Sequence, residues 1–126
     1  MTNERPPIPL EHGDGPLTGY RVLDFADEKG QLCARVLAEL GADVIKVESP
    51  ERGRERVSLG VRRRRDGVEE RVPAAQYRDR NKLGVTLDLK TPADRDCLIA
   101  LARGADVLVE SFTPGVTARL GIDYAR

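Results

Sequence analysis

Tyr20-Arg21-Val22-Leu23-Asp24-Phe25, then Leu32, Cys33, Val36, Leu37 and Leu40, then Asp43-Val44-Ile45-Lys46-Val47-Glu48 form the stretch on which the fold turns. The outer segments are short, apolar-rich and made of β-formers, so each reads as a strand. The five apolar residues between them recur at helical spacing, which predicts one buried helix face with Arg35 and Glu39 on the other. Gly41 supplies a C-terminal stop. Strand, helix and strand in succession make a βαβ unit, whose strands run parallel.

The pattern repeats further on. In Gly84-Val85-Thr86-Leu87-Asp88-Leu89-Lys90 the apolar residues alternate with polar ones, predicting a strand with Thr86, Asp88 and Lys90 on its polar face. Thr91-Pro92-Ala93-Asp94 reads as a helix cap, a proline in the first turn and a favourable acid. That helix runs to Arg103 with Cys97, Leu98 and Leu101 inward, and Gly104 stops it. Asp106 to Glu110 is the next strand, Ser111 to Gly115 a loop and Val116 to Leu120 a short helix. Residues 49–82 carry Pro50, Gly53, Gly60, Gly67 and Pro73 among alternating arginine and glutamate, so a charged irregular loop is expected there. Residues 1–17, rich in proline and glycine, read as a flexible N-terminal arm, and 18–126 as an α/β domain or part of one.

Composition removes several classes of function. The 126 residues hold 21 basic and 21 acidic side chains, a zero balance that argues against a dedicated nucleic-acid binder. No apolar run is long enough to span a bilayer, and Met1 to Pro7 lack the apolar core of a signal peptide, so the chain reads as cytoplasmic. Cys33 and Cys97 lack metal or redox spacing and fall on predicted apolar helix faces, as small buried hydrophobes do. The single histidine, His12, lies in the arm, which weakens chemistry needing a histidine base. The turn Asp24-Phe25-Ala26-Asp27-Glu28-Lys29-Gly30 lacks the glycines of a dinucleotide fingerprint, and its acids repel phosphate, so NAD binding is disfavoured. Arg62 to Arg65 are offset by Asp66, Glu69 and Glu70 and read as solvated charge. Asp88, Lys90 and Arg119 lie near strand ends, where open α/β sheets bind ligands, although ordinary surface charge explains them equally. Periodicity and spacing alone thus yield an α/β ligand-binding domain whose ligand stays open.

Four blocks, in order, carry a resemblance to the family III CoA-transferases. They are Pro16-Leu17-Thr18-Gly19-Tyr20-Arg21-Val22-Leu23-Asp24-Phe25, Leu37 to Glu48, Asn81-Lys82 with Val85 to Lys90, and Ala105 to Gly121. The resemblance implies the N-terminal part of that fold, a Rossmann-like parallel sheet with flanking helices, in a family whose subunits interlock as a homodimer. It implies coenzyme A or an acyl-CoA as substrate, a carboxylic acid as its partner and no permanently bound cofactor, while the residues themselves point to no metal, no membrane and no nucleic acid. Members move CoA between acids through a nucleophilic aspartate, and related α-methylacyl-CoA racemases move a proton with a histidine and aspartate pair.

Carried over residue by residue, the resemblance assigns Leu87, Asp88, Leu89 and Lys90 to a segment along the nucleotide end of CoA. Ser111, Phe112 and Thr113 match a post-strand loop that also touches CoA, and Arg119 matches an arginine that meets a CoA phosphate, a task suited to guanidinium. Three positions depart from the family pattern. Ser49 stands where many members have arginine, leaving Arg52 or Arg54 to substitute, Lys29-Gly30-Gln31 replaces a common Ala-Gly-Pro turn, and Ser111 replaces a common asparagine. The family's reacting residues match nothing within 1–126, so no catalytic residue is assigned here. A fragment, a truncated product and one subunit of a split enzyme all remain open. The N-terminal part of a racemase and a non-catalytic CoA-binding or interaction fragment are the alternative functions.

Overall fold

Of the 126 residues, the computed structural model describes 15–51, 60–73 and 77–124. Four parallel strands, β1 (Arg21–Asp24), β2 (Asp43–Glu48), β5 (Lys82–Thr86) and β6 (Val107–Val109), form one sheet in the order β5-β2-β1-β6. β1 is buried throughout, with Val22 between Val44 and Val107, and Leu23 between Ile45 and Leu108. Helix α1 (Gln31–Glu39) covers one face, where Ala34 and Ala38 meet Val22, Val44 and Ala42. Helix α2 (Pro92–Arg103) covers the other, where Leu98 meets Leu23, Phe25, Ile45, Val47 and Leu87. Helices on both faces of a parallel sheet are the Rossmann-like arrangement that the family resemblance implies, built from the parallel βαβ units expected from the strand and helix pattern. α3 (Val116–Leu120) follows β6.

Thr91 caps α2 as expected, accepting the Asp94 amide at 3.3 Å, with Pro92 in the first turn. Other expectations need correction. α1 does not bury Leu32, Val36 and Leu40, which are 55%, 47% and 40% exposed, and Leu37 is only partly buried. Alanines face the sheet instead, because a small side chain lets the helix lie close to the strands. Cys33 and Cys97 are exposed rather than buried. The strand expected over Gly84–Lys90 is Lys82–Thr86, so Leu87 to Lys90 lie beyond it in the connection to α2. The strand expected over Asp106 to Glu110 is shorter, Val107–Val109, and it lies at the sheet edge with Val107 and Leu108 exposed.

The stretch expected as an irregular loop contains an antiparallel hairpin, β3 (Gly60–Arg65) and β4 (Val68–Pro73), a separate sheet of two strands. Its turn is Asp66-Gly67, with φ of 51° and 80°, the paired positive values that a two-residue hairpin turn requires. Of the N-terminal arm, residues 1–14, His12 among them, lie outside the described residues, as do Arg52 and Arg54. Its end lies against α1: the Leu17 amide donates to Leu40 O at 2.9 Å, and Leu17 packs on the α1 core. A Cβ on Gly15 would sit 2.3 Å from Leu40 O, so only glycine allows this approach.

Candidate functional site

The chain reverses its direction of travel across the sheet at β1. From β1 it passes over α1 to β2, whereas β6, on the opposite side of β1, arrives from α2 on the other face. The loops leaving β1 and β6 therefore diverge, and the crevice between them is where open parallel sheets place ligands. Phe25 to Gly30 form one wall and Glu110 to Gly115 the other. The Phe25 amide still pairs with Val109 O at 2.8 Å, and the rings of Phe25 and Phe112 pack 6.4 Å apart at 58°. Above them the Ser111 hydroxyl donates to Asp27 Oδ1 at 2.7 Å and accepts the Asp27 amide at 2.9 Å, tying the walls together. A Cβ on Gly30 would come within 2.8 Å of Ala26 Cβ and 3.5 Å of Ser111 Cβ, so the walls meet closely here.

Several amides of the β1–α1 turn are engaged within the turn itself. The Gly30 and Gln31 amides both donate to Asp27 O at 3.0 Å, and the Lys29 amide to Asp27 Oδ1 at 3.0 Å. Amides held in this way do not point at a pyrophosphate as those of a dinucleotide-binding turn do.

The Leu87–Lys90 segment follows β5 along the same C-terminal edge of the sheet. Leu87 is buried in the α2-side core, and Leu89 packs against it. Asp88 organises the backbone: its carboxylate accepts the Lys90 amide at 3.0 Å, its carbonyl accepts the Thr91 hydroxyl at 3.1 Å, and its own amide donates to Asp94 Oδ2 at 2.7 Å. Lys90 Nζ points outward and meets Glu51 Oε1 at 3.3 Å in an exposed pair. Of these four residues, only Lys90 presents a cation to solvent. Arg119, near the end of α3, is exposed, and among the described residues its guanidinium has no ion-pair partner. The structure thus places 111–113 at the crevice, Arg119 beyond them, and 87–90 three strand spacings away, roughly 14 Å at the usual inter-strand distance. A cavity of about 250 Å³ beside the crevice is lined by Phe25, Leu98, Leu108, Phe112 and Ile122, with Arg103 and Asp123 also in its lining.

Sequence reading missed a buried charge cluster beneath the β1–α1 turn. Asp24, Lys46 and Lys82 have side chains 0%, 4% and 1% exposed. Lys82 Nζ lies 2.8 Å from Asp24 Oδ2 and 3.3 Å from Asp79 Oδ1, and Lys46 Nζ lies 3.4 Å from Asp24 Oδ1. Burial, partly offset by Asp24, pushes the Lys46 ammonium below the ordinary lysine range. The available signal was a charge inside each apolar strand, as in Leu23-Asp24-Phe25 and Ile45-Lys46-Val47. Among the described residues no cluster of His, Cys, Asp and Glu could hold a metal ion, and no helix is long and apolar enough to cross a membrane.

The sequence profile of CoA-transferase family III matches residues 17–126. The chain belongs to that family. It is 39% identical over 121 residues to a probable fatty acyl-CoA transferase, Rv3272, of Mycobacterium tuberculosis, covering 91% of this chain and 29% of that protein. It is 40% identical over 114 residues to the formyl-CoA:oxalate CoA-transferase of Afipia carboxidovorans, covering 86% of this chain and 25% of the relative. A crystal structure of Rv3272 superposes with a TM-score of 0.75 at 34% identity, over 90% of this chain and 31% of that one. A CAIB/BAIF family protein from Brucella suis gives a TM-score of 0.75 at 35% identity, over 90% of this chain and 30% of that one. The chain therefore spans about a quarter to a third of these relatives. Within family III it corresponds to an N-terminal region, and the crevice between β1 and β6 lies inside the matched residues.

Proposed function

We propose that this chain is the coenzyme A-binding N-terminal portion of an enzyme that moves CoA between carboxylic acids, its nucleophilic aspartate lying outside residues 1–126. The observation that carries this reading is the arrangement of the C-terminal sheet edge. Lys90 stands at one end, and the Ser111–Thr113 loop with Arg119 at the other, a span suited to a long, extended, polyanionic ligand and too wide for a small acid alone. Relatives named for fatty acyl-CoA and formyl-CoA transfer support the substrate class. An interlocked homodimer and a cytoplasmic location belong to the same reading.

Calorimetric titration with CoA tests it. Saturable binding is expected, and Arg119→Ala should weaken it by about 1–3 kcal/mol, as for loss of a charged hydrogen bond. Absence of binding, or equal affinity in the Arg119 variant, counts against the assignment. Incubated alone with succinyl-CoA and a panel of acids, the chain should form no new thioester. Turnover abolished by a substitution within 1–126 would refute the placement of the nucleophile elsewhere.

A further inference from the structure

We propose that Asp24, Lys46 and Lys82 are positioning residues, a buried ion cluster that holds both ends of the β1–α1 turn and thereby sets one wall of the ligand crevice. Strand alternation and register put Val22, Asp24, Val44, Lys46 and Lys82 on the face that α1 covers. Toward the C-terminal edge that face changes from apolar to charged at Asp24 and Lys46, and Lys82, level with Val44 on the neighbouring β5, reaches the same carboxylate. Each lysine makes two kinds of contact. Both reach the Asp24 carboxylate, and each also donates to a backbone carbonyl of the turn, Lys46 to Ala26 and Lys82 to Gln31, the latter at 3.1 Å. Asp24 itself accepts the Ala26 amide at 2.9 Å. The start of the turn, at Ala26, and its junction with α1, at Gln31, are thus anchored to charges rooted in β1, β2 and β5, while Ser111 fixes the middle of the turn through Asp27.

Stability alone does not account for such a cluster. Desolvation opposes the attraction between buried ions, and apolar replacements of similar volume are often neutral or stabilising. Elsewhere this sheet uses such residues freely: Val22, Leu23, Val44, Ile45 and Val47 are all buried. What apolar side chains cannot do is hold the Ala26 and Gln31 carbonyls in one place. The cluster selects a single turn conformation against the looser ones that a stretch with Gly30 and no proline can adopt.

The inference rests on the CoA reading only for the identity of the ligand. Two variants test it. Asp24→Leu/Lys46→Met/Lys82→Met replaces the cluster with apolar side chains, and Asp24→Asn/Lys82→Met removes one negative and one positive charge, so that Lys46 keeps the Ala26 carbonyl but loses the Asp24 carboxylate. Amide hydrogen exchange is followed in both and in the unaltered chain, with the strand amides of Val22 and Val44 as internal reference, alongside calorimetric titration with CoA. Strand protection should persist, while the Asp27, Gly30 and Gln31 amides exchange about tenfold faster and CoA affinity falls about tenfold. Turn amides as slow as in the unaltered chain, in either folded variant, overturn the inference. Unfolding of both variants overturns it too, since the cluster would then support the whole fold. If the unaltered chain binds no CoA, the CoA reading fails, and the exchange comparison still decides the inference.

Discussion

Lys46 reaches from β2 to the Asp24 carboxylate of β1 with almost all of its side chain out of water. Desolvation is the largest influence on its titration and disfavours the ammonium; Asp24 and Asp79 favour it, and Lys82 opposes it. The net shift is downward, so the unfolded chain holds this proton more tightly than the folded one. Stability rises with pH wherever the unfolded state binds more protons. The contribution of Lys46 should therefore grow as pH climbs from its lowered folded value toward the ordinary lysine value of about 10.4. Denaturant unfolding of the unaltered chain and of Lys46→Met, measured from neutral to alkaline pH, checks this. The unaltered chain should gain on the variant as pH rises. A stability difference that stays flat or shrinks would mean that the ion pair outweighs burial at this site.

Thr91 and α2 show what an element owes to a few local residues. The Thr91 hydroxyl caps the Asp94 amide while the Asp94 carboxylate accepts the Asp88 amide, so one small network starts the helix and shapes the 87–91 turn. Thr91→Ala should cost about 1 kcal/mol in chemical denaturation, the usual loss for an N-cap; an unchanged midpoint would show that the turn holds without it. Such a cap is written in adjacent residues, and for that reason α2, its start and its stop at Gly104 were legible in sequence. The same holds for β1, β2 and the α1 period. Orientation was less legible. Hydrophobicity ranked Leu32, Val36 and Leu40 as the buried face of α1, but close approach to the sheet selected Ala34 and Ala38. The alternation of Val85, Leu87 and Leu89 read as one strand, although an ordered turn keeps Leu87 and Leu89 inward just as well. The dense arginine and glutamate of 60–73 hid a hairpin whose signal was only Asp66-Gly67. At the site, strand-end loops such as Ser111–Thr113 follow directly from the element order. The Asp24–Lys46–Lys82 cluster joins residues of three strands, and its partners become visible only once register is known.

At the scale of the molecule, apolar surface is left uncovered. Leu32, Val36 and Leu40 of α1 are exposed, together with Tyr20, and at the far edge of the sheet Val107 and Leu108 of β6 are also exposed. Among the described residues β6 pairs only with β1, and such an outer backbone edge is a template for another strand. Exposed apolar helix faces and open edges are recurrent sites of association. The Rv3272 and formyl-CoA:oxalate CoA-transferase relatives are about three to four times its length, and the corresponding surfaces in such proteins have far more chain available to cover them. The chain of residues 1–126 on its own should therefore self-associate. Sedimentation over a concentration series should show a weight-average mass that climbs with concentration. Val36→Glu should shift that curve toward monomer if α1 is the contact, and Leu108→Lys should do so if the β6 edge is. Because both side chains are exposed, neither change should cost much more than about 0.5 kcal/mol of folding stability. A monomer at every concentration, unfolding cooperatively on heating, would show that these apolar residues are tolerated singly at the surface and that the four-stranded sheet with its two main helices closes its own core.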